Sequence, residues 1–218
     1  RGMLLDTNPH EFDTLIRISG FSHGTDVWLG NAKDLITSGT CSAREAIGCR
    51  DDIMLYLIGK DMDPKTAFSI MEDVRKGRVK KGGFKPGCEE KMRELGVPEW
   101  YIQSCRTIAY LFPKAHAVAY VMMAFRIAWF KVHEPLAFYS AYFYRRSQKD
   151  GFDAAMMTGG MESVKAKIRE ISTNENATDK DEDLLTTLEV CYEFYLRGFE
   201  FLPIDLYDSD ALKFNIKD

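Results

Sequence analysis

The stretch from residue 111 to 135, LFPKAHAVAYVMMAFRIAWFKVHEP, constrains the fold of this chain more than any other. Pro113 suits the first turn of a helix, because the N–H that proline lacks would be unbonded there. Pro135 marks the end, because a proline disfavours helical geometry in the residue that precedes it. The sequence therefore predicts one long helix between two prolines.

The two faces of this helix differ in chemistry. Apolar residues recur at helical spacing and predict one buried face, made of Val118, Val121, Met122, Phe125, Trp129 and Val132. The other face begins with Lys114, His116 and Tyr120. A helix N-terminus carries unpaired N–H groups and a partial positive charge, so these residues indicate a seat for phosphate. The alternative is a buried helix with two polar residues at its start.

The rest of the chain predicts further short helices. Before the long helix we expect a helix from Pro9, a polar loop over residues 19–24, a helix over DVWLGNAKDLI and a short helix from Ser42 to Gly48. Arg50 then lies on a loop, and helices follow over residues 51–58, 63–76, 88–95 and 98–111. After it we expect helices over residues 136–146, within 150–173 and from about Leu184, with short strand character near the C-terminus. The predicted class is mostly α, an irregular multi-helix domain with a helical connector and a short extended C-terminal segment.

A basic segment, RKGRVKKGGFKPG, covers residues 75–87. Its six cations alternate with four glycines, and mobile glycines would let lysines reach a nucleic-acid backbone. We interpret it as a phosphate-binding loop, with a solvated basic loop as the alternative. Acidic residues concentrate after Glu170, so the preceding part of the chain is mildly basic, which suits a surface that faces nucleic acid.

Cysteines and hydropathy indicate the compartment. The five cysteines form no C-x-x-C pair and their number is odd, which favours free thiols in a reducing cytoplasm and argues against zinc. The longest apolar run is interrupted by His116, Arg126 and Lys131, so we expect no membrane span and no membrane partner. The chain begins at Arg1 without a methionine, and we expect it to be a fragment.

Paired carboxylates would hold the two metal ions of nucleotidyl transfer. The D-x-D pairs present are Asp61/Asp63, Asp179/Asp181, Asp181/Asp183 and Asp208/Asp210. Each lies in a polar turn or at a helix start, whereas a metal-binding pair should end a buried strand that fixes it. We therefore expect neither catalytic nor metal-binding residues in this chain.

Three strings carry a family resemblance: FPKAHA-x-AYV-x-MA-x-RIA-x-FKVH-x-P, ISGFSHGTDVWLGNA and VPEWYI-x-SC. Together they resemble the fingers of the bacterial DNA polymerase III alpha subunit, specifically its PolC type. The resemblance covers nearly the whole chain. It implies a DNA-directed DNA polymerase whose fingers hold the incoming nucleotide, with Mg²⁺ held by aspartates of a palm that precedes these residues.

The resemblance also implies site residues. For the incoming dNTP they are Lys114, His116, Tyr120, Arg50, Ser22 and Phe112. For nucleic-acid phosphates the resemblance implies Arg75 and Lys76, and the basic pattern adds Lys80 and Lys81. The implied partners are primer–template DNA, dNTP, the rest of the polymerase chain and replicase subunits such as the sliding clamp, in the bacterial cytoplasm at the nucleoid.

The expected organisation is a fingers domain over residues 1–150 and a helical connector over residues 151–218. In the resembled family this connector leads towards a tandem helix-hairpin-helix module, whose glycine-rich hairpins this sequence lacks. Two alternatives stay open: a DnaE-type alpha subunit, and a self-standing helical module that binds nucleic acid or protein without catalysis. An isolated fragment of this kind is expected to be inactive.

Overall fold

The computed structural model describes residues 2–148 and 151–217, and within them the chain is mostly α-helical, as predicted. The described part contains no strand longer than an isolated bridge. Its helices are α1 (Gly2–Thr7), α2 (Phe12–His23), α3 (Lys33–Thr37), α4 (Arg50–Ile58), α5 (Pro64–Arg75), α6 (Arg78–Gly82), α7 (Cys88–Glu94), α8 (Glu99–Thr107), α9 (Lys114–His133), α10 (Pro135–Ser147), α11 (Ala154–Met157), α12 (Met161–Ser172) and α13 (Asp179–Leu196).

The helices form two compact units, Arg1–Phe125 and Arg126–Asp218, and the division falls inside α9. Each unit has its own apolar core. The first core is built mainly from α4, α5, α8 and the segments that join them. The second is built from α10 to α13, with Tyr139 and Phe143 of α10 each 1% exposed. All five cysteines have free thiols, as expected.

Helix α5 shows how local sequence determines an element of the first unit. Asp63 caps it, because its carboxylate accepts a hydrogen bond from the N–H of Thr66 at 3.0 Å. Pro64 occupies the first helical position, where its missing N–H costs nothing. The predicted apolar stripe is buried: Ala67, Ile70, Met71 and Val74.

The expected polar loop over residues 19–24 is instead the last part of α2, which continues to His23. The helix continues because Gly20 and Phe21 are buried there. A Cβ at position 20 would lie 2.3 Å from the carbonyl oxygen of Gly48, so the glycine permits a close contact between the two backbones.

Two other predicted helices do not form as expected: one is broken and the other is replaced by a turn. The helix over DVWLGNAKDLI breaks at Leu29, whose ψ is 135°, and at Gly30, whose φ is +68°. Residues 42–48 form a turn, because the backbone N–H of Ser42 bonds to the side chain of Glu45 at 2.8 Å. Arg50 does not lie on a loop, since it is the first residue of α4.

The bounds of α9 agree with the prediction, but the predicted burial of its apolar face is wrong. Ala117 is its one buried residue, and Val118 and Val121 are half-buried against Ile16 and Cys49. The remaining predicted core residues are exposed: Met122, Phe125, Trp129 and Val132. Helical periodicity identifies an apolar face, but it does not show which other part of the protein covers that face.

By length and composition α9 is apolar enough to cross a membrane, with a mean hydropathy of 1.2. This differs from the expectation that its polar residues interrupt the run too strongly. Core helices of globular proteins share such a composition, so it indicates a large apolar surface and does not by itself indicate a bilayer.

In the second unit, Thr178 caps α13 through a reciprocal capping box with Asp181. Helix α13 buries Leu188 and Cys191, as its pattern predicts, whereas Leu184, Leu185 and Tyr195 are half-buried. The residues after Leu196 form turns and irregular structure up to position 217, so the expected strand character is absent.

Candidate nucleotide-binding site

Residues 109–112 bring together three distant parts of the first unit. The backbone of Thr25 pairs with Tyr110 in an antiparallel bridge, and Cys49 pairs with Phe112 in a parallel bridge. The N–H of Arg50 donates to the carbonyl of Phe112 at 3.1 Å. On the same segment, the N–H of Leu111 donates to the carbonyl of Arg75 at 3.3 Å. Three predicted site residues, Arg50, Arg75 and Phe112, are thus joined by backbone hydrogen bonds.

Four rings form a continuous series beside this segment, which we call the aromatic face: His23, Phe112, His116 and Tyr120. The ring centroids of His23 and Phe112 are 5.2 Å apart, those of Phe112 and His116 are 5.2 Å apart, and those of His116 and Tyr120 are 4.7 Å apart. Phe112, His116 and Tyr120 follow each other at four-residue spacing, which places them on one side of the chain as it enters α9. Tyr120 is 59% exposed, so the face is open to a ligand.

His23 belongs to this face although its role was not predicted from the sequence. It follows Ser22, a predicted site residue, in the last turn of α2. Ser22 is exposed, and its hydroxyl donates to the carbonyl of Ser19 at 2.9 Å. A signal was present, because an imidazole directly follows a residue that the resemblance assigns to the site.

Arg50 offers an unused donor beside the aromatic face. Its Nε is buried and makes no hydrogen bond within the described residues. The nearest carboxylate oxygen, Oδ2 of Asp51, lies 3.8 Å away, which is too far for a hydrogen bond. A buried donor without an acceptor costs about 1–3 kcal/mol, so Arg50 would gain from an anionic ligand.

Lys114 lies on the opposite side of α9 from His116, because two residues turn a helix by about 200°. Its ammonium is 3.3 Å from a carboxylate oxygen of Asp52 and 3.4 Å from one of Asp13. Burial acts to lower the pKa of Lys114, but the charges of Asp52 and Asp13 outweigh it, so that this pKa is raised. The structure therefore does not bring Lys114 together with His116.

The N-terminus of α9 already holds an internal anion. The backbone N–H of Lys114 donates to Oδ2 of Asp51 at 2.8 Å. Asp52 in turn accepts from the N–H groups of Gly48 and Cys49 at 3.1 and 2.8 Å. The predicted phosphate seat at this helix start is thus partly occupied by the side chains of α4.

The basic segment is more ordered than expected. Its middle forms α6, and most of its cations pair with carboxylates. Burial acts to raise the pKa of Asp73, but hydrogen bonds and charges from Lys85 and Arg78 outweigh it, so that this pKa is lowered. The other pairs are Arg75 and Lys76 with Glu72 at 2.7 and 2.8 Å, and Lys80 with Asp26 at 2.6 Å.

Glu72 and Lys81 determine how many cations of the basic segment are available to a phosphate. Hydrogen bonds from Arg75 and then Lys76 lower the pKa of Glu72 to about 2, so it stays ionised and holds both cations. Lys81 is exposed and has no ion pair with the residues that the structure describes. Lys81 is therefore the cation of this segment that is most available to a phosphate.

Carboxylates of the D-x-D pairs take part in local hydrogen bonds and ion pairs. No group of three or more metal-ligating side chains comes together within residues 2–148 and 151–217. The carboxylate of Asp63 caps α5, and that of Asp181 accepts from the N–H and the hydroxyl of Thr178 in the capping box of α13. Asp208 pairs with Lys217 at 2.6 Å, and Asp210 accepts the N–H of Leu212. These carboxylates are used by local structure, so we derive no metal-dependent step from them.

Comparisons with known proteins bear on the family of the chain. Residues 1–96 match the family model described as the bacterial DNA polymerase III alpha subunit finger domain. The chain is 57% identical over 217 residues to a DNA polymerase III PolC-type of Caldanaerobacter subterraneus subsp. tengcongensis, covering 99% of this chain and 15% of that protein. The corresponding proteins of Clostridium perfringens and Streptococcus pyogenes are 53% and 51% identical, over 100% of this chain and 15% of theirs. The chain thus spans 15% of the length of these relatives.

Proposed function

The chain belongs to the PolC-type family of bacterial DNA polymerase III alpha subunits, and from this membership we propose that it works as part of the fingers of a replicative DNA-directed DNA polymerase. In this role it binds the incoming dNTP and the primer–template. Nucleotidyl transfer itself we assign to Mg²⁺ held by carboxylates of a palm outside these 218 residues, because carboxylates of the D-x-D pairs in this chain serve a helix cap, a capping box and a turn.

The aromatic face supports binding of the base of the nucleotide or of the primer end. Stacking on an aromatic side chain tolerates any base, because every base has a π-face. Such tolerance is what a polymerase needs when four different bases occupy one site in turn. Tyr120 is more exposed than Phe112, the other non-histidine ring of this face. We assign the base contact to these two rings, with Ser22 and His23 at the border.

The single observation that best supports a phosphate contact is the unpartnered Nε of Arg50. A guanidinium offers several N–H groups in a planar fork that matches phosphate oxygens. Arg50 is tied to Phe112 through the backbone, so a base on the aromatic face places its phosphates within the same region. We therefore assign the triphosphate first to Arg50 and to His116.

Lys114 remains a proposed triphosphate contact, with a stated condition. Its ammonium must leave Asp13 or Asp52 before it can reach a phosphate, since it lies on the other side of α9 from His116. Its side chain is 24% exposed, which leaves room for such an exchange.

The basic segment is proposed to bind the nucleic-acid backbone. Lys81 would act first, while Arg75, Lys76 and Lys80 would contribute by exchanging their carboxylate partners. Neutralising phosphates in this way makes affinity fall with salt, independently of base sequence.

The functional boundary is proposed near residue 150, with residues 151–218 as a connector towards a tandem helix-hairpin-helix module. The structural division after Phe125 is a different boundary, because it separates two compactly packed units and not two functions. The remaining partners, namely the rest of the polymerase chain and the sliding clamp, follow from the proposed role, as does a cytoplasmic location at the nucleoid.

Steady-state incorporation by the complete polymerase tests the phosphate assignment. Arg50→Gln removes a charged donor whose contact with phosphate is worth about 1.5–3 kcal/mol, so kcat/KM for dNTP should fall by about 10- to 150-fold. The matched control is Arg169→Gln, an exposed arginine of α12 in the second unit, which should leave dNTP use unchanged.

The folding of both variants is compared by thermal unfolding. If Arg50→Gln folds normally and uses dNTP as well as the unmodified enzyme does, the phosphate assignment is wrong. A loss of similar size in Arg169→Gln would show that the effect is not specific to the site.

A further inference from the structure

The first unit contains a cavity of about 320 Å³ on the side of α9 away from the aromatic face. Its walls come from α2 through Arg17, from α4 through Asp52 and Tyr56, and from α8 through Tyr101. Lys114 also lines it. The volume lies at the lower end of the range of small-ligand sites in proteins.

Tyr101 places an unsatisfied polar group at this cavity. The residue is 1% exposed, and its hydroxyl has no hydrogen-bond partner within residues 2–148 and 151–217. Its ring is stacked on that of Tyr56, with centroids 4.2 Å apart and an interplanar angle of 17°, so the hydroxyl is held in position. Buried hydroxyl groups normally have a partner, so this one has unused capacity for a hydrogen bond to a water molecule or a ligand.

The hydroxyl of Tyr101 is available as a donor at neutral pH. Burial above all, and then the neighbouring Cys105 and Asp52, raise the pKa of Tyr101 well above its ordinary value. The group therefore remains protonated, and its natural partner is an acceptor.

The carboxylates of the cavity wall are already used. Asp52 accepts two backbone N–H groups and pairs with Arg17 at 3.1 Å. Glu45 accepts both the hydroxyl and the N–H of Ser42, which lower the pKa of its carboxyl group. The wall therefore has little unused acceptor capacity.

Donors, by contrast, remain in excess. Arg44 lines the cavity and uses one Nη in a hydrogen bond to Glu11 at 3.2 Å. A guanidinium has five N–H groups, so Arg44 retains others. Its side chain is 62% exposed and can turn towards a ligand that enters the cavity.

We propose that this cavity is a second ligand site, which binds an oxyanion group, carboxylate or phosphate, through the hydroxyl of Tyr101 and the guanidinium of Arg44. Neither Tyr101 nor Arg44 belongs to the aromatic face. The site does not depend on nucleotide addition, so its test is independent of the proposed polymerase function.

The test titrates the 218-residue chain with sodium phosphate and, separately, with sodium acetate, at constant ionic strength kept with sodium chloride. The measurement is the NMR shift of labelled tyrosine rings and arginine side chains. We expect saturable shifts at Tyr101 and Arg44 with at least one probe. Saturation by phosphate alone would identify a phosphate site, and saturation by acetate alone would identify a carboxylate site.

Two variants and two controls make the result specific. Tyr101→Phe removes the hydroxyl and keeps the stacked ring, and Arg44→Gln removes the charge at an exposed position. Each should weaken binding about tenfold or more, as expected for a hydrogen bond to a charged group. Tyr207→Phe and Arg169→Gln, which are exposed and do not line the cavity, should bind as the unmodified chain does.

The proposal is overturned if neither probe gives saturable shifts up to about 100 mM, well above the millimolar dissociation constant of a weak site. It is also overturned if the folded variants bind both probes normally. If Tyr101→Phe does not fold, the result for Arg44→Gln decides.

Discussion

Gly20 is a single residue on which the geometry of the candidate site depends. It brings α2, which carries Ser22 and His23, against the backbone of Gly48 and the side chain of Cys49, the two residues that precede Arg50. A side chain at this position would separate the two parts of the site. The sequence predicts a loop here, because a polar segment that contains glycine is typical of loops, but the glycine permits a close contact between a helix and a turn.

We predict that Gly20→Ala destabilises the chain. The added Cβ would lie 2.3 Å from the carbonyl oxygen of Gly48 and 2.8 Å from Sγ of Cys49, so the backbone must shift. Overpacking of this kind costs about 1–3 kcal/mol, which urea unfolding would measure as a lower midpoint.

Gly82→Ala is the matched control. A Cβ at this position has no neighbour within 4 Å, and the residue ends α6. Its unfolding free energy should stay the same or rise by up to about 1 kcal/mol. Equal stability of the two variants would show that the contact between Gly20 and Gly48 tolerates a methyl group.

At the scale of the element, the bounds of α9 were predicted from the sequence, whereas the exposure of its apolar face was not. Its start is fixed by Asp51, and its first turns pack on Ile16 and Cys49. Further along, large apolar side chains are exposed, among them Phe125 and Trp129. An exposed apolar helix face of this size is uncommon in a monomeric globular protein.

We predict that Trp129→Ala and Phe143→Ala differ strongly in their effect on the isolated chain. Phe143 is 1% exposed in the second core, so truncation should cost about 3–5 kcal/mol of unfolding free energy. Trp129 is 50% exposed, so truncation should cost less than about 1 kcal/mol. Chemical unfolding monitored by circular dichroism measures both.

The comparison is sharp because both changes remove an aromatic ring from neighbouring helices of the same unit. If Trp129→Ala is as destabilising as Phe143→Ala, the apolar face of α9 is covered in solution, and the sequence-based assignment of Trp129 to a core is right after all.

At the scale of the whole molecule, the 218 residues carry surfaces for recognition without a metal-binding group in the described part. In the proposed function, the aromatic face, Arg50 and the basic segment supply stacking and phosphate contacts, which would position a substrate but would not activate its 3′-hydroxyl. Positioning and metal-dependent chemistry are separable parts of nucleotidyl transfer.

We predict that the purified chain does not extend a primer. In magnesium with all four nucleotides, the amount of extended product should equal that of a buffer control, because each D-x-D pair of the described residues has a carboxylate that is used by a cap, a capping box or a turn. Denaturing gel electrophoresis of a labelled primer measures this. Reproducible extension that Asp208→Ala abolishes would contradict the prediction and assign catalysis to this chain.

Local chemistry by itself determined several of the elements of this protein. The starts of α5 and α10 and both ends of α9 follow from prolines and a cap, because these residues act on the backbone within one turn of their own position. The mostly α class follows in the same way. The family membership also follows from sequence, since the motifs around Phe112 and Ser22 are specific strings and not compositions.

The tertiary structure alone decided which side chains meet. Lys114 and His116 are neighbours in sequence, yet helix rotation separates them, and Lys114 pairs with carboxylates about sixty residues and a hundred residues earlier in the chain. His23 joins Phe112, and Tyr101 keeps an unpartnered hydroxyl, because of contacts between distant segments. Sequence periodicity reports which face of an element is apolar, whereas burial, ion pairing and unsatisfied donors depend on what the fold places against that face.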